Sequence, residues 1–193
     1  MRSGGPVDAD LVIRAQHGDR DAFERLATGS VDRLHAVAWS ILGDASLAED
    51  ATQGALLSIW RDLPGLRDPA RYDAWSYRLV VRACYAERRR APRWLPNLDG
   101  LLEVASRAPD GIAAVDDRDS LERGFRRLPV EQRAVIVLHY VADLHLDKVA
   151  EILAIPRGTA HSRLNRALEG LRATLAADAR LAGPNVAQRE AGK

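Results

Sequence analysis

Cysteine is nearly absent: Cys84 is the single one among 193 residues. That excludes an intramolecular disulfide and a cysteine-based zinc site, and a lone thiol in a helical stretch reads as a small buried hydrophobe. The five histidines, His17, His35, His139, His145 and His161, show no HExxH or paired-ligand spacing, so no metal centre is expected. Asp116, Asp117 and Asp119 read as a solvated linker end rather than a metal cluster. A glycine-rich phosphate loop, a nucleophile elbow and a convincing acid/base pair are also missing. No catalytic residue, no cofactor and no enzymatic activity are therefore expected. No apolar run approaches the ~20 residues of a bilayer span. The opening segment MRSGGPVDAD lacks the apolar core of a secretory signal, so a cytoplasmic protein without membrane insertion is expected.

Net charge is also small, only +1. A nonspecific DNA coater would be more basic, so a nucleic-acid role here must rest on where the charge is placed. Residues 78–93 hold six arginines and one glutamate. The composition, 47% hydrophobic and 28% charged, is that of a soluble globular chain long enough for two small domains.

The richest segment is residues 146–172, LDKVAEILAIPRGTAHSRLNRALEGLR. Leu146, Val149, Ala150 and Leu153 recur at helical spacing, as do Ala160, Leu164, Ala167, Leu168, Leu171 and Leu175. Between these two amphipathic helices Ile155 can plug an elbow, Pro156 cannot continue a helix, and Gly158 is expected to supply the backbone freedom of the turn. The result is a helix-turn-helix. The polar side of its second helix carries Arg157, Thr159, His161, Ser162, Arg163, Asn165 and Arg166, with Arg172 beyond. Those groups suit phosphates and base edges. An arginine-rich helical hairpin with a solvated face has the same pattern, so the periodicity alone leaves both readings open.

The string IPRGTAHSRLNRAL resembles the recognition helix of bacterial sigma factors of the sigma-70 family, in particular the extracytoplasmic-function group, with its I-P-x-G-T-x-x-S-R-L-x-R-A pattern. Ala160 and His161 stand where valine and lysine are usual. Upstream, Asp119 to Glu122 looks like a helix start and Leu128-Pro129 a helix end. The run Ala134 to Leu138 fits a helix or a buried strand by period alone. The string LPVEQRAVIVLHYVADL is similar to the segment before the family's helix-turn-helix, which favours helix.

The N-terminal half makes an independent case. Asp21 with Glu24 and Ser46 with Glu49 have capping-box spacing, and Gly18-Asp19, Gly43-Asp44 and Pro64-Gly65 punctuate apolar-periodic segments. Helices are expected near residues 8–17, 21–42, 46–62 and 70–90. On the last, Arg71, Trp75, Arg78, Arg82, Tyr85 and Arg89 project to one narrow face, with Tyr72, Leu79, Val80 and Ala83 toward another. Arginines neutralise phosphates and exposed aromatic rings stack on unpaired bases, a pairing suited to single-stranded nucleic acid. By composition alone, a core Trp75 beside solvated arginines is the commoner arrangement.

Here too there is a resemblance. LAEDATQGALLSIWR is similar to the polymerase-binding helix of sigma factors, and RYDAWSYRLVVRACYAERRR to the helix that recognises the melted minus-ten element. The resemblance implies that Glu49, Asp50, Gln53, Leu57 and Trp60 dock on core RNA polymerase. It also implies that Arg71, Tyr72, Trp75, Arg78, Arg82, Tyr85 and Arg89, with the loop 64–73, bind the minus-ten strand. Gly54, Val81, Ala83 and Cys84 depart from the family's usual residues. The expected plan is all-α, with two small helical domains joined by a linker: 8–91 (region 2), 92–118 (linker), 119–175 (region 4) and a fraying tail, 176–193. In the linker Trp94, Leu95, Leu98, Leu101 and Leu102 are candidate anchors. The implied function is that of an alternative sigma factor, with core RNA polymerase, promoter DNA and an anti-sigma protein as partners. The alternative is a stand-alone helix-turn-helix regulator, which would not need the polymerase-binding string.

Overall fold

The computed structural model describes residues 7–91 and 113–190, and side chains of the second segment from 120 to 178. The linker anchors Trp94 to Leu102 lie outside the described residues, as do the side chains of Asp116, Asp117 and Asp119. Among the described residues every regular element is helical.

Four helices form the first half: α1, Ala9–Gln16; α2, Arg20–Leu42; α3, Ala45–Asp62; and α4, Tyr72–Arg90. The starts of α2 and α3 are set by aspartates just ahead of the expected capping boxes. Asp19 accepts from the Ala22 amide at 3.0 Å and Asp44 from the Leu47 amide at 2.9 Å, so each aspartate takes up an amide that the first helical turn leaves free. Gly43, at φ 67°, ends α2 in a conformation that glycine adopts without steric cost. Leu26, Leu34, Ile41, Ile59, Leu63, Tyr72 and Val80 are fully buried where α2, α3 and α4 meet. Cys84 joins them, and burial pushes its thiol up to about 12, in keeping with an inert packing residue.

The second half holds α5, Ala113–Arg127; α6, Val130–Ile136; α7, Leu146–Leu153; and α8, Arg157–Glu190. One expectation needs correction. The helix expected to open at Asp119 already begins at Ala113, so Asp119 is not its N-cap; within the helix Ser120 accepts from Arg123 at 2.7 Å and Glu122 pairs with Arg126 one turn on. The last helix runs from Arg157 to Glu190. The ambiguous run Ala134 to Leu138 is helical and passes into a π-helical turn, Val137–Val141, closed by the Ala142 amide on the Val137 carbonyl at 3.0 Å.

The elbow of the helix-turn-helix also differs from expectation. Gly158 sits inside the first turn of α8, and the left-handed residue is Ala154, at φ 53°. A methyl side chain there crowds the following carbonyl, so Ala154→Gly should raise the unfolding free energy by about 1 kcal/mol, read by chemical denaturation. An unchanged midpoint would mean that the elbow carries no strain.

The two halves pack directly. α6 lies against α2, and the buried Arg133 donates to the Leu42 carbonyl at the C-terminal end of α2, 3.3 Å away. Burial, helped by nearby Arg88, pulls Arg133 down to about 10. On the other side α7 lies against α4.

Candidate functional site

The α3 helix buries Ala48, Ala51, Thr52, Ala55 and Ile59 and turns Glu49, Asp50, Gln53, Leu57 and Trp60 outward. Leu57 is 69% and Trp60 54% exposed, a large apolar pair held in water beside two carboxylates and an amide. The Trp60 indole meets Phe23 of α2 edge-on with centroids 4.5 Å apart, which limits its rotation and presents one face outward. All five residues expected to dock on polymerase therefore share one surface. Gly54 lies near α4, where an added Cβ would reach only ordinary contact with Ala83, at 3.9 Å. Gly54→Ala should accordingly stabilise α3 by roughly 0.5–1 kcal/mol, seen as a higher Tm with an unchanged spectrum. A lower Tm would show that the close approach to α4 needs the missing side chain.

Between α3 and α4 the chain makes two 3-10 turns, Leu63–Gly65 and Pro69–Arg71. Gln16 of α1 pins the first by donating to the Leu63 and Leu66 carbonyls at 3.0 and 2.7 Å. Asp68 caps the second through the Ala70 amide. The loop and α4 enclose a cleft of about 200 Å³ lined by Leu66, Arg67, Asp68, Arg71, Ala74, Trp75 and Arg78, and closed on one side by Glu151 of α7.

The α4 face is only partly as expected. Arg71, Arg82 and Arg89 are exposed, while Trp75, Arg78 and Tyr85 are half-buried. Tyr72 is a correction: it is 1% exposed, its hydroxyl lies 3.1 Å from that of Ser30, and burial raises its pKa. It is a core residue that supports the Trp75 ring from below, with centroids 6.1 Å apart. Tyr85 directs its hydroxyl inward, where it finds no hydrogen-bond partner among the described residues, and burial pushes it up to about 12.

On α8, Arg157, His161, Asn165 and Arg166 are exposed, with Thr159 and Ser162 half-buried beside them. Two of these side chains are held by the helix itself: Ser162 donates to the Thr159 carbonyl at 3.1 Å, and His161 Nδ1 to that of Arg157 at 3.0 Å. Arg157 is drawn toward Asp147 of α7, 3.3 Å away. Arg163 is half-buried, and its positive charge bears on the Tyr85 hydroxyl of α4.

The sequence reading missed several residues. Arg33 of α2 pairs with Asp73 at 2.8 Å and stacks over Tyr77, fixing the start of α4. Glu151 of α7 pairs with Arg71 at 2.9 Å. Their partners lie far away in sequence, so no local pattern marks them.

A description of sigma-70 region 2 matches residues 26–93, and one of sigma-70 region 4 matches residues 124–173. Over 160 residues the chain is 35% identical to the ECF RNA polymerase sigma factor SigM of Mycobacterium tuberculosis, covering 83% of this chain and 80% of that one. The chain belongs to the extracytoplasmic-function group of sigma-70 factors. This sigma factor is also 28% identical over 176 residues to SigW of Bacillus subtilis, covering 85% of this chain and 94% of the relative. Two solved structures share its fold. One is CnrH in complex with the cytosolic domain of CnrY, at TM-score 0.65 and 23% identity, covering 89% of this chain and 98% of that one. The other is the sigma factor RpoE of Bartonella quintana in complex with the anti-sigma factor NepR, at TM-score 0.57 and 20% identity, covering 79% of this chain and 96% of that one. As a member of the group, the sigma factor binds core RNA polymerase and directs it to promoters for transcription initiation.

Proposed function

We propose a division of labour over three surfaces of this sigma factor. The α3 face of Glu49, Asp50, Gln53, Leu57 and Trp60 docks on core polymerase. The α4 face of Arg71, Trp75, Arg78, Arg82, Tyr85 and Arg89, with the loop 64–73, holds the nontemplate strand of the melted minus-ten element, and Tyr72 supports it from the core. The α8 face of Arg157, Thr159, His161, Ser162, Arg163, Asn165 and Arg166 reads the upstream element. The protein catalyses nothing itself and acts where polymerase acts, in the cytoplasm; no helix among the described residues is long and apolar enough to cross a membrane.

The observation that carries this reading is the exposed α3 face. Leaving Leu57 and Trp60 in water is unfavourable for a free chain and suits a surface completed by a partner, with aromatic anchors supplying most of the binding energy. Replacing Asp50 and Gln53 together by alanine, or Trp60 alone, should weaken the complex with core polymerase by at least tenfold in a titration, a loss of about 1.4 kcal/mol or more. Unchanged affinity with unchanged circular dichroism would remove the docking role.

An anti-sigma protein is the further partner we infer. An apolar cleft of about 230 Å³ between Leu121, Phe125, Val137, Tyr140, Leu168 and Leu171 opens beside the exposed Tyr140 and Val141, and suits the apolar face of a helix. The anti-sigma partner of the Bartonella quintana factor supports this reading by analogy.

A further inference from the structure

Two of the guanidiniums assigned to the DNA strand, those of Arg71 and Arg78, are already engaged. Arg71 Nη2 lies 2.9 Å from Glu151 Oε1, while Arg78 donates through Nη2 to the Glu151 carbonyl at 2.8 Å and through Nε to the Ile152 carbonyl at 3.1 Å. Both carbonyls belong to the last turn of α7, whose orphan acceptors and negative dipole end favour a cation there. Lys148 holds the other Glu151 oxygen at 3.0 Å, aiming the carboxylate across the gap. The same glutamate closes the cleft in which Trp75 sits.

We propose that Glu151 and the carbonyl end of α7 form a latch that keeps the two halves closed over the strand-binding face, so that nucleic acid and latch compete for Arg71 and Arg78. The proposal rests on the reading of α4 as the strand-binding face. The edge of Arg78 that grips two carbonyls cannot at the same time grip a phosphate. The α3 face stays open, leaving polymerase docking possible in the closed form.

The contact is built to release. Its ion pair is largely solvent-exposed, Arg71 at 58% and Glu151 at 39%, and such pairs are weak and screened by salt. Where α4 meets the second half, Tyr85 Oη, Arg88 Nη1 and Arg133 Nε are buried without a hydrogen-bond partner among the described residues. Opening would return water to each of them, which lowers the cost of separation.

The test uses the full chain carrying dyes at Thr28→Cys and Ala173→Cys, both exposed positions, with buried Cys84 left in place. Energy transfer should fall as salt rises and fall further in Glu151→Arg; adding Arg71→Glu to that variant should restore it. In a second readout, Glu151→Gln should bind a fluorescent single-stranded DNA oligonucleotide about fivefold more tightly, because the competent fraction rises. Asp10→Asn, which removes the same charge from exposed α1, should not. Unchanged transfer in Glu151→Arg would overturn the latch. Lower transfer with an unchanged oligonucleotide affinity in Glu151→Gln would overturn the competition. Arg82 lies outside the latch, so Arg82→Ala binding the oligonucleotide as well as the parent would instead remove the strand-face reading, and the transfer measurement would still judge the contact by itself.

Discussion

Trp75→Ala should slow promoter opening by roughly 5- to 150-fold while leaving the closed complex with polymerase nearly intact, since one base-aromatic stack is worth about 1–3 kcal/mol. The ring lines the cleft between the 64–73 loop and α4, backed by the buried Tyr72. A base can enter only after its pair is broken, and unstacking costs a few kcal/mol that protein contacts must offset. Ground-state docking therefore loses little and the melted state loses most. Arg82→Ala, at an exposed position, should show the same selectivity to a smaller degree without disturbing the fold. Permanganate footprinting reports the bubble, and a low-temperature gel shift reports the closed complex. A premelted template should rescue both variants. Normal bubbles on linear duplex would leave α4 as a solvated face and the first half as a polymerase tether.

The second large effect is expected on α8. Arg166 is exposed on α8, whereas Arg163 is half-buried. If Arg166 contacts a base edge, alanine costs roughly 1–3 kcal/mol and relaxes preference at one promoter position; a phosphate contact instead lowers the salt slope by about 1 and leaves preference alone. Measured on the polymerase holoenzyme over a range of salt, one of these two signatures should appear for Arg166→Ala. Neither appearing for Arg163→Ala with Arg166→Ala would show that α8 does not read DNA.

What was legible in the sequence was what short-range chemistry controls. The helices 8–17, 21–42, 46–62 and 70–90 fall within about two residues of α1 to α4, because amphipathic period and turn residues act locally. The caps shifted to Asp19 and Asp44 because either of two neighbouring polar residues can take the orphan amides, and tertiary packing chooses. The α3 face came from the resemblance to the family's polymerase-binding helix, and its residues lie along one exposed side of one helix.

The misses have other causes. Glycine is the usual residue for a left-handed turn, yet packing of α7 against α8 places Ala154 there and leaves Gly158 helical. Tyr72 projects with Leu79 and Val80 to the apolar side of α4, and it was the resemblance, not the helical period, that put it among the strand-binding residues. Glu151 carried no signal at all, since it pairs across the two halves with residues more than seventy positions earlier. Long-range electrostatics of this kind appear only when the helices are assembled.

In the proposed division of labour, this chain selects promoters for core polymerase through two DNA-reading helices and one docking helix. The most direct measurement adds purified protein to core polymerase and genomic DNA and maps transcript starts. Discrete starts that depend on the protein, share paired upstream sequence elements and vanish with Asp50→Ala/Gln53→Ala are the predicted result. Starts identical with and without the protein, in the presence of a folded chain, would contradict it.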